Sequence, residues 1–324
     1  GLLRAAEATG IDIITNALVT DLVALNDGWV IGVTVQRPDG TTEKIGCQAL
    51  ILACNGYGGN PDMVREHIPE MAAAEYFGHP GNQGDAVQWG ASLGAAVKHM
   101  GAYQGHGSVA TPHGILITWA LMMEGGIQVN CFGERFSNEH RGYSEQAVDV
   151  LSQPDQVAWL VIDDRLLTLG REFEEFKLAE ATGAVRHGSS VEDLSRKTGI
   201  PGAPLKTTLR QVLAYTNGEH LDPHGRDFTS QAPLVSPFHA IKVTGALFHT
   251  QGGLEVDAHA RVLRTDKSPL PNLYAGGGAA CGISGSQVWG YLSGNGLLTA
   301  VNLGRLAGQT AAKQIEVEGN KYVD

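Results

Sequence analysis

The stretch GGIQVNCFGERFSNEHRGY, residues 125–143, crowds a short apolar strand, a glycine turn and a polar run into nineteen residues and ends on Tyr143. A second tyrosine, Tyr291, closes Trp289-Gly290-Tyr291, and His249 stands in Phe248-His249-Thr250-Gln251-Gly252-Gly253. An unperturbed phenol has a pKa of about 10, so it serves as a base only where its neighbours favour phenolate. The plainer reading of each tyrosine is a packing residue with a satisfied hydroxyl. Histidine titrates closer to neutrality, but twelve histidines in 324 residues put some beside any site by chance. Carboxylates and histidines nowhere take metal-ligand spacing, and Cys47, Cys54, Cys131 and Cys281 form no C-x-x-C pair, so no metal is expected.

The elements that must position these residues are readable from periodicity. A helix opens the chain, followed by strands at Asp12 to Thr15, Leu18 to Asn26, Trp29 to Arg37 and Thr41 to Cys47, with hairpin turns at Asp27-Gly28 and Pro38-Asp39-Gly40. The apolar strand ALILAC and a helix entered through the glycine turn near Asn82 come next. From about 104 to 238 the charges are denser and polar helices such as REFEEFKLAEATG and SVEDLSRKTG appear, which reads as a second lobe. From 239 the sequence is again rich in strands and glycine, and a closing helix runs around GNGLLTAVNLGRLAGQTAAKQI.

Composition limits the function classes. A net charge of -11 opposes nucleic acid and anionic membrane surfaces, which leaves a small molecule as the expected partner. No run of about eighteen apolar residues occurs, so no membrane span is expected. The opening residues lack a loose polar leader, and the chain is read as a fragment.

Three runs in order, ALILACNGYGGNP, GGIQVNCFGERFSNE, and HTQGGLEVDAHARVL with the following LPNLYAGGG, resemble the flavoproteins that include soluble fumarate reductases and 3-ketosteroid Δ1-dehydrogenases. That group's G-x-G-x-x-G turn, which seats the FAD pyrophosphate on a helix N-terminus, is not among these 324 residues. The resemblance implies an α/β fold, with a Rossmann-like FAD-binding domain formed by 1–103 and 239–324 and an inserted α+β cap formed by 104–238. FAD is the implied cofactor. Val19 falls where backbone meets adenine, and Gly56 where a strand end approaches the cofactor. Gly276, Gly277 and Gly278, with Gly294, Asn295 and Gly296, fall on the two flavin-side loops. Gly278 replaces the group's usual glutamate.

A fumarate reductase clamps two carboxylates with arginines; by the resemblance its usual glutamate and arginine fall here on Trp119 and Met122, its proton-donating arginine on Tyr143 and its last substrate arginine on Tyr291. Ketosteroid dehydrogenases carry tyrosines at the last two. The resemblance therefore implies Tyr143 as acid/base and Tyr291 as donor to a carbonyl, with His249 also catalytic and His106, Trp119 and Met122 around the substrate. The expected activity is FAD-dependent oxidoreduction of a CH–CH bond beside a carbonyl in a neutral, apolar ketone. The alternatives are an acrylate-type reductase using His249 and Arg141, or a truncated module that no longer binds FAD. A cytoplasmic location is expected.

Overall fold

The computed structural model describes residues 1–318. After α1 (Leu2–Ala8), β1 (Leu18–Ala24), β2 (Val30–Gln36) and β3 (Thr42–Gly46) form an antiparallel meander. Gly28 and Gly40 turn its corners with φ of 88° and 84°, the left-handed values that tight hairpins demand. The strand expected at Asp12 to Thr15 does not form. Its isoleucines find no neighbouring strand, and Ile11, Ile13 and Ile14 remain exposed.

β4 (Leu50–Leu52) leads into α2 (Pro61–His67), β5 (Glu75–Tyr76), α3 (Asp85–Ser92) and β6 (Val97–Lys98). Next come β7 (Tyr103–Ala110), β8 (Ile115–Leu116), α4 (Ala120–Met123), β9 (Ile127–Val129), α5 (Tyr143–Leu151), β10 (Val157–Asp163), α6 (Asp164–Gly170) and α7 (Glu174–Ala181). The order then continues through β11 (Val185–Gly188), α8 (Val191–Thr198), α9 (Gly202–Thr216), β12 (Phe238–Thr250), β13 (Gly253–Leu254), β14 (Arg261–Leu263), β15 (Pro269–Ala275) and α10 (Asn295–Glu318).

A seven-stranded sheet runs β8-β7-β12-β10-β9, with β11 and β5 also on β12. Both of its faces are covered, and the strand alternation shows how. Ala158, Leu160 and Ile162 of β10 join Ile241 and Val243 of β12 in one core with α4, α6 and α7. Trp159 and Val161 point the other way, into a core with α8 and α9. β12, the first strand of the third segment in the sequence-based division, hydrogen-bonds to β7, β10 and β11 and so lies in the sheet of the middle segment. The α/β character of the remainder rests on β4 and β15, a parallel pair followed by the long helix α10.

Candidate active site

Tyr143 is the first residue of α5, and that helix lies unusually close to β7. A side-chain carbon on Gly105 would come within 2.9 Å of the Ala147 methyl, and one on Gly107 within 2.7 Å of the Gln146 carbonyl carbon. Glycine at these two strand positions therefore sets how near α5 sits. The Gly105 N–H donates to Ser144 Oγ at 2.8 Å, and the Gly290 N–H donates to Glu145 Oε1 at 3.1 Å. One helical turn thus fixes Tyr143 against the sheet and against the loop that carries Tyr291.

The two phenols meet edge to face, with ring centroids 5.9 Å apart. Tyr143 donates its hydroxyl to Ser293 Oγ at 3.0 Å, and Tyr291 donates to Gln104 Oε1 at 3.0 Å. Burial, and then the neighbouring Tyr143, push the Tyr291 phenol above its ordinary pKa, so it stays a neutral hydroxyl. His249 faces Tyr291 at 6.2 Å between centroids and has Gln251 Nε2 3.0 Å from its Nδ1. Burial pushes its imidazole down as well, so it stands uncharged near neutrality.

These groups open on a cavity of about 580 Å³ lined by Tyr143, Tyr291, His249, Gly277, Gly278, Gly294 and Gly296 from the sequence reading. Ser293, which the sequence reading put on the flavin-side loop before α10, lines it too, as do Gln104 and Gln251, which sequence reasoning missed. A signal was available for Gln251, which follows His249 by two residues, whereas Gln104 meets His249 only in the β7–β12 register. With its oxygen taken by Tyr291, Gln104 keeps an amide NH₂ without a protein partner among the described residues.

Other expected site residues sit elsewhere. His106 stacks behind Tyr143 with centroids 5.1 Å apart, and Trp119 packs edge-on to both, so neither lines the cavity. His106 accepts the Ser108 N–H on Nδ1 at 3.2 Å, and burial pushes its pKa down to about 3. Met122 does not belong to the pocket: its side chain is fully buried in the core against α6 and α7, because α4 turns it inward. Asn295 is also fully buried, donating to Gln251 and to Ser284. Its side chain holds the loop together and does not face the cavity. Gly56 and Gly276 are packing glycines. A side chain on Gly56 would collide with Thr250 Oγ1, and one on Gly276 would lie 3.2 Å from the Gly304 nitrogen. Val19 pairs with Val35 in the meander, outside the cavity lining.

The lining suits a flavin. Ala53, Leu297 and Ala300 offer apolar surface, and Gly277, Gly278, Gly294 and Gly296 leave backbone open around it. The 24-residue α10 begins at this rim, where Leu298 N–H is used by Gly294 O at 3.0 Å. The N–H groups of Gly296 and Leu297 have no carbonyl of a preceding turn to bond, and the positive end of the helix suits a ring that gains negative charge on reduction. Among the described residues no group of three or more His, Cys, Asp or Glu side chains is placed to hold a metal, and no helix is long and apolar enough to cross a membrane.

The paired phenols, the glycine rim and the helix start define a flavoprotein site. A family model described as FAD binding domain matches residues 1–297, and the chain belongs to that family. It is 30% identical over 312 residues to a probable fumarate reductase of Shewanella frigidimarina (strain NCIMB 400), covering 96% of this chain and 52% of that protein. The open conformation of a flavocytochrome c3 fumarate reductase superposes with a TM-score of 0.79 at 29% identity, over 97% of this chain and 54% of the other. A 3-ketosteroid Δ4-(5α)-dehydrogenase from Rhodococcus jostii RHA1, in complex with 4-androstene-3,17-dione, gives 0.70 at 25% identity, over 96% of this chain and 62% of the other. The chain therefore spans about half the length of the relatives it matches.

Proposed function

We propose that the protein is an FAD-dependent oxidoreductase acting on a CH–CH bond beside the carbonyl of a neutral, largely apolar ketone. One observation carries the reading: the cavity lining offers phenols, amides, glycines and an uncharged imidazole, and among the described residues no lysine or arginine. Bound FAD supplies the hydride acceptor or donor. Tyr143 moves the proton at the carbon next to the carbonyl, with Ser293 as its hydrogen-bond partner. The Gln104 NH₂ provides a donor for the carbonyl oxygen as it gains enolate character, and Tyr291 provides a second once its hydroxyl turns from Gln104 Oε1 to the ligand. The same residues serve both directions, since the acid of one is the base of the other.

A dicarboxylate would bring two charges to this lining. Burying an unpaired carboxylate costs several kcal/mol even after relaxation, and a hydrogen bond to a charged group returns only about 1.5–3 kcal/mol. An acrylate-type reaction would call on Arg141, but that guanidinium is engaged by Asp149 and lies 5.8 Å from the Trp289 ring. In this reading the middle segment, 104–238 together with β12, caps the flavin. The four free cysteines support a reducing, cytoplasmic compartment. The test is Tyr143→Phe in the flavin-loaded protein, which should lower turnover by about 10² or more with the flavin spectrum intact. Near-normal turnover, measured where chemistry limits the rate, would return Tyr143 to a packing role.

A further inference from the structure

At the end of β12 remote from the cavity lies a second group of titratable side chains. The antiparallel β11–β12 register sets His187 directly opposite His239. Their rings stand 4.9 Å apart at 70°, with the two Nδ1 atoms 3.1 Å from each other. The outer nitrogens face carboxylates: His239 Nε2 is 2.8 Å from Asp164 Oδ1, and His187 Nε2 is 3.5 Å from Glu180 Oε1. A carboxylate only accepts, so His239 carries its proton on Nε2 and turns the Nδ1 lone pair toward His187. A neutral His187 then has one proton for two acceptors. If it sits on Nδ1, a lone pair faces Glu180; if it sits on Nε2, two lone pairs face each other.

We propose that His187 and His239 chelate a divalent transition-metal ion of the zinc type through their two Nδ1 atoms. With metal–nitrogen distances of about 2.0–2.1 Å, a 3.1 Å separation gives an angle at the metal of roughly 100°, close to tetrahedral. Asp164 and Glu180 then hold the outer N–H groups, as carboxylates do behind metal-bound histidines. Water completes the coordination, because the His187 side chain is 46% exposed while that of His239 is 6% exposed. His249 lies ten steps along β12 from His239, about 33 Å of strand, so this ion does not touch the oxidoreductase cavity.

Calorimetric titration of the whole chain with Zn²⁺ near neutral pH tests the site. The expected result is one ion per chain in the wild type, with affinity at least tenfold weaker in His187→Gln and about tenfold weaker in Asp164→Asn. Both substitutions fall on partly open side chains, and unchanged melting of the metal-free variants checks that each is folded. Zn²⁺ should raise the melting temperature of the wild type and leave that of His187→Gln unmoved. Absence of stoichiometric uptake, or uptake in His187→Gln equal to wild type, would overturn the proposal; should that variant not fold, unaltered affinity in Asp164→Asn overturns it.

Discussion

The middle and the end of residues 125–143 treat charge in opposite ways. Near the middle, Arg135 donates to both Glu139 oxygens at 3.0 and 2.6 Å and to Asp222 at 2.7 and 3.3 Å. Arg226 adds a 3.1 Å bond to Glu139 and bonds of 2.8 and 2.9 Å to the carbonyls of Gly126 and Met122. All four charged side chains are at most 5% exposed. A few residues on, Tyr143 enters a cavity whose lining, among the described residues, has no lysine or arginine. The chain uses its buried, paired charges to tie the start of β9 to the segment around 222–231. It keeps only neutral donors where a ligand must enter.

The largest effect should come from breaking the charged end. Glu139→Gln leaves two buried guanidinium groups short of a counter-ion, and loss of one partner of a buried pair costs about 3–5 kcal/mol. Chemical denaturation measures it, and a loss under about 1 kcal/mol would show the network to be dispensable.

Acid should reveal the same contrast in two steps. Burial alone would raise the Glu139 pKa, but Arg135 and then Arg226 outweigh it and hold the carboxyl at about 2. Its contribution is therefore present above the ordinary glutamate pKa of about 4.3 and fades as pH falls toward 2. His106 acts earlier. Burial keeps the folded imidazole neutral down to about 3, while the unfolded chain takes up a proton below about 6.5. Stability should thus drop by roughly 1.4 kcal/mol per pH unit once pH is well below 6.5. In His106→Phe that slope, read from unfolding curves between neutrality and mild acid, should flatten; an unchanged slope would place the proton elsewhere.

At the neutral end the effects are smaller. Gln104→Leu removes the unpartnered NH₂ and leaves Tyr291 as donor, so turnover on a ketone should fall about tenfold, in line with one hydrogen bond. Steady-state kinetics decides this, and no change would mean that the carbonyl lies elsewhere.

Much of this arrangement was legible in the sequence, and the illegible part has a common cause. Hairpins announce themselves through Asp-Gly pairs, and Tyr143, Tyr291 and His249 do converge on one cavity. Gln104 went unseen because it meets His249 only through the β7–β12 register, which pairs strands far apart in the chain and is shifted by irregularities on either side of Ala246–Leu247. Met122 was misplaced because counting residues does not say which way the short helix α4 turns a side chain. The Asp12 to Thr15 strand failed for the converse reason: β-branched sequence without a partner strand has nothing to pair with.

The neutrality of the cavity is tested most directly by reducing the flavin of the loaded protein anaerobically and mixing it in turn with fumarate and with a 1-ene-3-ketosteroid. A lining without lysine or arginine among the described residues predicts rapid reoxidation by the ketone and none by fumarate. Fast reoxidation by fumarate with none by the ketone would contradict the account.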